Sequence, residues 1–220
     1  MTAGQPWFVL VAGVNGAGKS TFAQNADSIR ALCGLGGATD EIEIINPDLI
    51  TKEIVRADPQ LLRAEANERA ADACEQRVRH LIEGASRSLV IETVLSTDKY
   101  KGIVRRAKRK GFRFLFVYVV LASVEEAIQR VAMRVAEGGH DVPTDKVKKR
   151  WPRSLKRMPW FWRQADLAYL FFNGASAPDP IRLAEKRDNW VSILQNDLGP
   201  TELESLWSRL LRPVSKRRPK

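Results

Sequence analysis

The run Gly13-Val14-Asn15-Gly16-Ala17-Gly18-Lys19-Ser20-Thr21 satisfies the pattern G-x-x-x-x-G-K-[ST], and its residue types suit a bound triphosphate. Glycines let the backbone curl so that successive N–H groups point inward at phosphate oxygens. A helix starting beneath them adds the positive end of its dipole. In that chemistry Lys19 reaches the β- and γ-phosphates and the Ser20 hydroxyl takes a coordination position on Mg²⁺. Further along stand two carboxylates, Asp48 and Glu92, and three arginines, Arg130, Arg134 and Arg150. A carboxylate beside an acceptor hydroxyl serves as general base, and arginines stabilise the charge spread over a moving phosphoryl group.

Such residues need elements that bring them to one edge. Trp7–Ala12 is a short apolar run with the β-branched content of a buried parallel strand, and Thr21–Ala26 continues the loop as a helix. Ile42–Ile45 reads as a second strand, after which Pro47 starts a helix with Asp48 near its N-cap. From Pro59 to Gly84, Leu62, Ala66, Ala70, Cys74, Val78 and Ile82 recur every fourth residue, the stripe of an amphipathic helix. Ser88–Ile91 is a third strand ending at Glu92-Thr93. A helix over Asp98–Lys110 stops at Gly111, and Phe112–Leu121 is an apolar, central fourth strand. Ser123 and Glu126 form a capping box for a helix running to Glu137. This βαβαβαβα order specifies an α/β fold with a mostly parallel sheet and helices on both faces. A carboxylate closing a parallel strand then lies at the ligand-binding edge. Asp48 suits both a base and an N-cap, and Glu92 suits water-mediated contact with Mg²⁺ or binding of substrate hydroxyls.

Arg130 and Arg134 leave one helix face together. Gly138–Thr144, rich in breakers and containing His140, leads to a basic helix starting at Pro143 or Thr144 and carrying Arg150. Helix, loop and arginine-bearing helix is the layout of a kinase lid at about residues 134–153; an ordinary basic helix hairpin has the same composition. His140 has no partner for a zinc site and reads as a hydrogen-bonding or docking residue. The aromatic stretch Trp151–Phe172 reads mostly as core, with one tryptophan able to stack on a base. Ile181–Ala184 and Trp190–Leu194 suggest a closing strand pair, and Thr201–Leu211 a final helix.

Composition sets bounds. With 220 residues, 44% hydrophobic and 28% charged, the chain suits one globular α/β domain over residues 1–211. The tail Arg212–Lys220, expected to be solvated and disordered, carries five cations and no acid, half of the net charge of +10. What remains fits a pocket for polyanionic nucleotides, and a nucleic-acid partner stays open without being favoured. Cys33 and Cys74 lack metal or redox spacing, which makes a reducing cytoplasm the expected compartment. No apolar run is long enough to span a bilayer, and Trp7–Ala12 lacks the basic flank of a signal peptide. An LSGGQ-like signature is absent between residues 60 and 170.

Gly13–Thr21, Asn46-Pro47-Asp48, Ile91-Glu92-Thr93-Val94-Leu95-Ser96 and Gly138-Gly139-His140-Asp141-Val142-Pro143 together resemble the zeta-toxin family of P-loop kinases, over roughly residues 7–175. The resemblance implies ATP- and Mg²⁺-dependent phosphorylation of a hydroxyl on UDP-N-acetylglucosamine or a related UDP-sugar, and an antitoxin protein that restrains the enzyme. It assigns the catalytic carboxylate to Asp48, the phosphate and magnesium contacts to Lys19 and Ser20, and the sugar-nucleotide neighbourhood to Glu92 and Thr93. Arg130 or Arg134, with Arg150, match the lid arginines. One departure is Phe172-Asn173-Gly174, where this branch often has Asp-Asn-Ser. A different acceptor (another metabolite, an antibiotic or a nucleic-acid end) and an ATPase or regulatory switch without acceptor are the alternative readings.

Overall fold

Strand β1, Trp7–Gly13, is buried at all seven residues, so both faces of the sheet are covered where it runs. The computed structural model describes residues 5–35, 41–85, 87–139, 141–174, 179–194, 200–201 and 203–204. Four more strands lie parallel in one sheet with β1: β2 (Ile42–Ile45), β3 (Ser88–Thr93), β4 (Arg113–Val120) and β5 (Leu167–Phe172). Two antiparallel strands, β6 (Ile181–Arg187) and β7 (Trp190–Ile193), extend it beyond β5. The order β2-β3-β1-β4-β5-β6-β7 puts β1 between β3 and β4, so the chain after β1 exits at a crossover point of the sheet. In register, Val11 is level with Glu92 and Val117.

Helices connect the parallel strands. The first is in two pieces, α1 (Lys19–Gln24) and α2 (Ala26–Cys33), divided at Asn25, whose side chain accepts from Ser28 N and caps α2. Helix α3 (Pro47–Ala57) has Pro47 at its first position, and its N-cap is Asn46. Asn46 Oδ1 accepts from Asp48 N at 2.9 Å, which corrects the expected cap: Asp48 stands inside the first turn with its carboxylate not needed for capping. Helix α4 (Arg63–Gly84) buries Ala66, Ala70, Cys74, Val78 and Ile82, but Leu62 is its exposed N-cap and the residues from Pro59 precede the helix. Helix α5 spans Lys99–Arg109. Helix α6 (Val124–Ala136) has the expected Ser123 cap, with Glu126 N donating to Ser123 Oγ, while the Glu126 carboxylate reaches one residue further back than in a capping box and accepts from Ala122 N.

Helix α7 (Thr144–Gln164) starts where the breaker loop predicts and runs well past residue 153, although it contains Pro152 and Pro159. It is held by burial of Trp151, Leu155, Met158, Phe161 and Trp162, the last three fully enclosed. Ser154, at 0% exposure, donates to the Val94 carbonyl at 2.6 Å and lies 2.7 Å from the Tyr118 hydroxyl. This ties α7 to the turn after β3. Thr201, Leu203 and Glu204 are helical; His140, most of the expected final helix and the basic tail lie outside the described residues. Among the described residues no helix is long and apolar enough to cross a membrane.

Candidate functional site

The phosphate loop leaves β1 and closes at α1, and the Ala17 N–H donates to the Val14 carbonyl inside the turn at 3.4 Å. Gly18 is the N-cap of α1 in the left-handed region (φ 80°), a conformation that charges a side chain about 1 kcal/mol or more, and no side chain caps the helix start. Lys19 is buried at 6% exposure. Its ammonium donates to the Val14 carbonyl at 2.9 Å and faces Glu92 Oε1 at 3.9 Å. Burial pushes its pKa below the ordinary lysine range; Glu92 and Asp48 act against that, while Arg134 and Arg150 push the same way.

These fields show which predicted residues converge. Glu92, Asp48, Arg134 and Arg150 come from four different elements, yet all act on the Lys19 ammonium. Asp48 is exposed at the mouth, while Glu92, level with Val11 of β1, is half-buried. Ser20 is half-buried in the first turn of α1, and Thr21 is exposed. Arg130 is different. Its guanidinium is held on Glu126, one helical turn back, at 3.0 Å. Its stem packs beside the loop, because a Cβ at Gly16 would lie 3.2 Å from Arg130 Cβ. Arg134 instead folds under Gly139, where an added Cβ would come within 2.5 Å of Arg134 Cγ, so that glycine permits the arginine's placement.

Thr93 has its hydroxyl engaged inside the protein. It accepts from Leu95 N at 3.0 Å and hydrogen-bonds to Tyr100, whose own hydroxyl is pushed up to about 12 by burial. That contact shapes the turn in which Leu95 has φ 61°.

Sequence reasoning missed the other side of the loop. A cavity of about 460 Å³ opens beside Gly18 and Thr21, lined further by Phe22, Phe171, Asn173 and Pro180. Among the described residues its aromatic groups are two phenylalanines, 5.3 Å apart between centroids. Trp7, Trp151 and Trp162 are core; Trp160 is partly buried with Lys101 and Arg105 over its ring; Trp190 lies exposed on β7. The signal for this cavity was the C-terminal end of β5, which becomes informative only once β5 is known to pair with β4.

Residues 8–158, more than half of the chain, match the AAA domain family, and the chain belongs to it. An uncharacterized protein of Haemophilus influenzae is 26% identical over 144 residues, covering 65% of this chain and 91% of the relative. Among solved structures, a chain of AvrRxo1-ORF1:-ORF2 with ATP superposes with a TM-score of 0.68 at 15% identity, over 98% of this chain and 66% of that one. A chain of the PezAT chromosomal toxin-antitoxin system of Streptococcus pneumoniae gives 0.57 at 17% identity, over 84% and 73%. The chain thus spans just under two thirds of the AvrRxo1 chain it matches. At these identities the likeness is one of fold, and in that sense the zeta-toxin resemblance is borne out. A P-loop fold of this kind binds nucleotides.

Proposed function

We propose that this AAA-domain chain is an ATP-dependent phosphotransferase of the zeta-toxin type, passing the γ-phosphoryl group to a hydroxyl of a UDP-amino sugar such as UDP-N-acetylglucosamine. The observation that carries the reading is the convergence on Lys19 at the end of a glycine loop: one buried ammonium and two arginines, Arg134 and Arg150, meet two carboxylates, Glu92 and Asp48, and this excess of cations is a setting that receives an anion. A polyphosphate supplies it.

The residues divide into a donor side and an acceptor side. The backbone of Gly13–Thr21 and Lys19 hold the β- and γ-phosphates, and the cavity beside Gly18 and Thr21 takes the nucleoside between Phe22 and Phe171. Mg²⁺ fits as a shared ion because the donors beside Lys19 are oxygens: the half-buried Ser20 hydroxyl and the phosphates would hold it, with the Glu92 carboxylate nearby. Its chemistry there is to neutralise charge on the phosphate oxygens. On the acceptor side, Asp48 takes the hydroxyl proton as the acceptor oxygen bonds to the γ-phosphorus and the β–γ bridging bond breaks. Arg134 and Arg150 stabilise the equatorial charge, and residues 134–153 act as the lid that excludes water. Glu92, with Thr93 shaping the turn beside it, orients the acceptor.

A second reading keeps the donor side and changes the acceptor to another metabolite, an antibiotic or a nucleic-acid end. It is favoured by Asp48 and Leu49 standing exposed together, Leu49 at 46%, which leaves the acceptor side open to larger molecules. A regulatory antitoxin would cover this same open edge.

The test is transfer from γ-labelled ATP with Mg²⁺ to a panel of UDP-sugars and oligonucleotide ends, with Asp48→Ala as control. Label on UDP-N-acetylglucosamine that disappears in the variant supports the proposal. Label on an oligonucleotide end shifts it to the second reading, and ATP hydrolysis with no labelled acceptor replaces both with a switch.

A further inference from the structure

Asn173 sits immediately beyond β5, 156 residues from the loop it touches. Its backbone N–H donates to the Val120 carbonyl at 2.9 Å, which fixes the residue beside the end of β4. Its side-chain Nδ2 donates to the Ala17 carbonyl at 3.0 Å. A carbonyl only accepts, so the amide's orientation is set: nitrogen toward the loop. An added Cβ at Gly18 would lie 2.7 Å from the same nitrogen, so a glycine is needed there for the amide to reach the loop.

The consequence follows from peptide geometry. In a planar trans peptide the C=O and the next N–H point in opposite directions. With the Ala17 oxygen drawn to Asn173, the N–H of Gly18 is turned away from the Asn173 amide. From this geometry we propose that Asn173 is a positioning residue for nucleotide binding: it holds the Ala17–Gly18 peptide so that the Gly18 N–H meets a phosphate oxygen. The inference rests on the reading of Gly13–Thr21 as a polyphosphate site. Asn173 itself acts through the loop. Because it also lines the nucleoside cavity, the same side chain stands between the base and the phosphates.

The test measures binding of ATP and of inorganic tripolyphosphate, each with Mg²⁺, to the full chain and to Asn173→Ala and the isosteric Asn173→Asp. Loss of one hydrogen bond to a charged group corresponds to about a ten- to hundredfold weaker affinity, and this loss is expected for both ligands in both variants. With ¹⁵N-glycine labelling, the Gly18 amide proton should shift downfield when tripolyphosphate binds to the parent protein and much less in the variants. Asn173→Asp keeps the side-chain shape, so it decides the matter if Asn173→Ala does not fold. Unchanged tripolyphosphate affinity with weakened ATP binding would assign Asn173 to the base and overturn the proposal, as would an unchanged Gly18 shift. A parent protein that binds neither ligand would overturn the polyphosphate site itself.

Discussion

Lys19 in the phosphate loop and Lys186 in β6 are both buried, at 6% and 4% exposure, and burial pushes both ammonium groups below the ordinary lysine range. Their surroundings differ. Lys186 donates to the Ala165 carbonyl, with Asp166 and Asp188 near it and Lys108 opposing them, so the chain itself supplies its counter-charge. Lys19 has the Val14 carbonyl, Glu92 at 3.9 Å and the weaker pull of Asp48, but two arginines add to its own charge where Lys186 faces one lysine. A buried cation satisfied by its own fold is part of the scaffold. In the proposed function, the cation that faces more of its own sign at a sheet edge is the one completed by an anion from outside.

The largest effect is expected at Lys19. Lys19→Met should lower phosphoryl transfer by more than about a thousandfold, in the upper range for loss of a preorganised positive group. Its ligand-free melting temperature should stay level or rise, because a buried charge has been removed. A melting temperature that falls steeply would mean Lys19 is scaffold after all. Asp48→Ala comes next. Transfer should drop by about 10²–10⁴-fold with ATP affinity within about twofold, since the exposed carboxylate serves the acceptor. The arginines sharpen the picture. Arg150→Ala and Arg134→Ala should each cost about a hundredfold in kcat, and Arg130→Ala much less, because its guanidinium is already paired with Glu126. Equal losses at all three positions would show that Arg130 leaves Glu126 on closure.

The smallest effect is a pH dependence at Lys186. Its pKa is lowered from 10.5 to about 8 in the fold. Below about pH 8 both states are protonated and the buried charge weighs fully against the fold. Between about 8 and 10.5 the unfolded chain holds more protons, so stability contributed by this group rises with pH. Cys33, pushed up to about 12 by burial from an ordinary value of 9.0, acts oppositely above pH 9. The informative quantity is therefore the difference between parent and Lys186→Met. The denaturation midpoint of the parent should gain on the variant between pH 7.5 and 9.5, and parallel profiles would remove Lys186 from the comparison.

The donor half of the site was legible because it is local: strand, glycine loop and helix start occupy residues 7–24 and carry their chemistry in sequence. Glu92 and Asp48 were found by a second rule, that parallel strands deliver their carboxyl ends to one edge. The rest depended on non-local or competing pairings. Asn173 became meaningful only through the β4–β5 neighbourhood, and Phe22 and Phe171 meet across the same gap. Helical spacing put Arg130 and Arg134 on one face, but spacing alone did not say that Glu126, one turn before Arg130, would hold the first of them; the i, i+4 acid–base pair was present to be read. Asp48 lost its capping role to Asn46 because an asparagine oxygen two residues earlier already satisfies that turn.

Helix α7 has a mechanical consequence beyond the residues it carries. Proline has no amide hydrogen, so Pro152 and Pro159 leave the Lys148 and Leu155 carbonyls without their ladder partners, and the rod is softest to bending just around Arg150. Behind that soft joint the Ser154 clamp and the Phe161–Trp162 packing fix the rear half against the sheet. The helix is therefore pinned on both sides of the joint, by Val147 and Trp151 ahead of it and by Ser154, Phe161 and Trp162 behind. A bend at that joint would turn the Arg150 guanidinium while the sheet beneath keeps its shape.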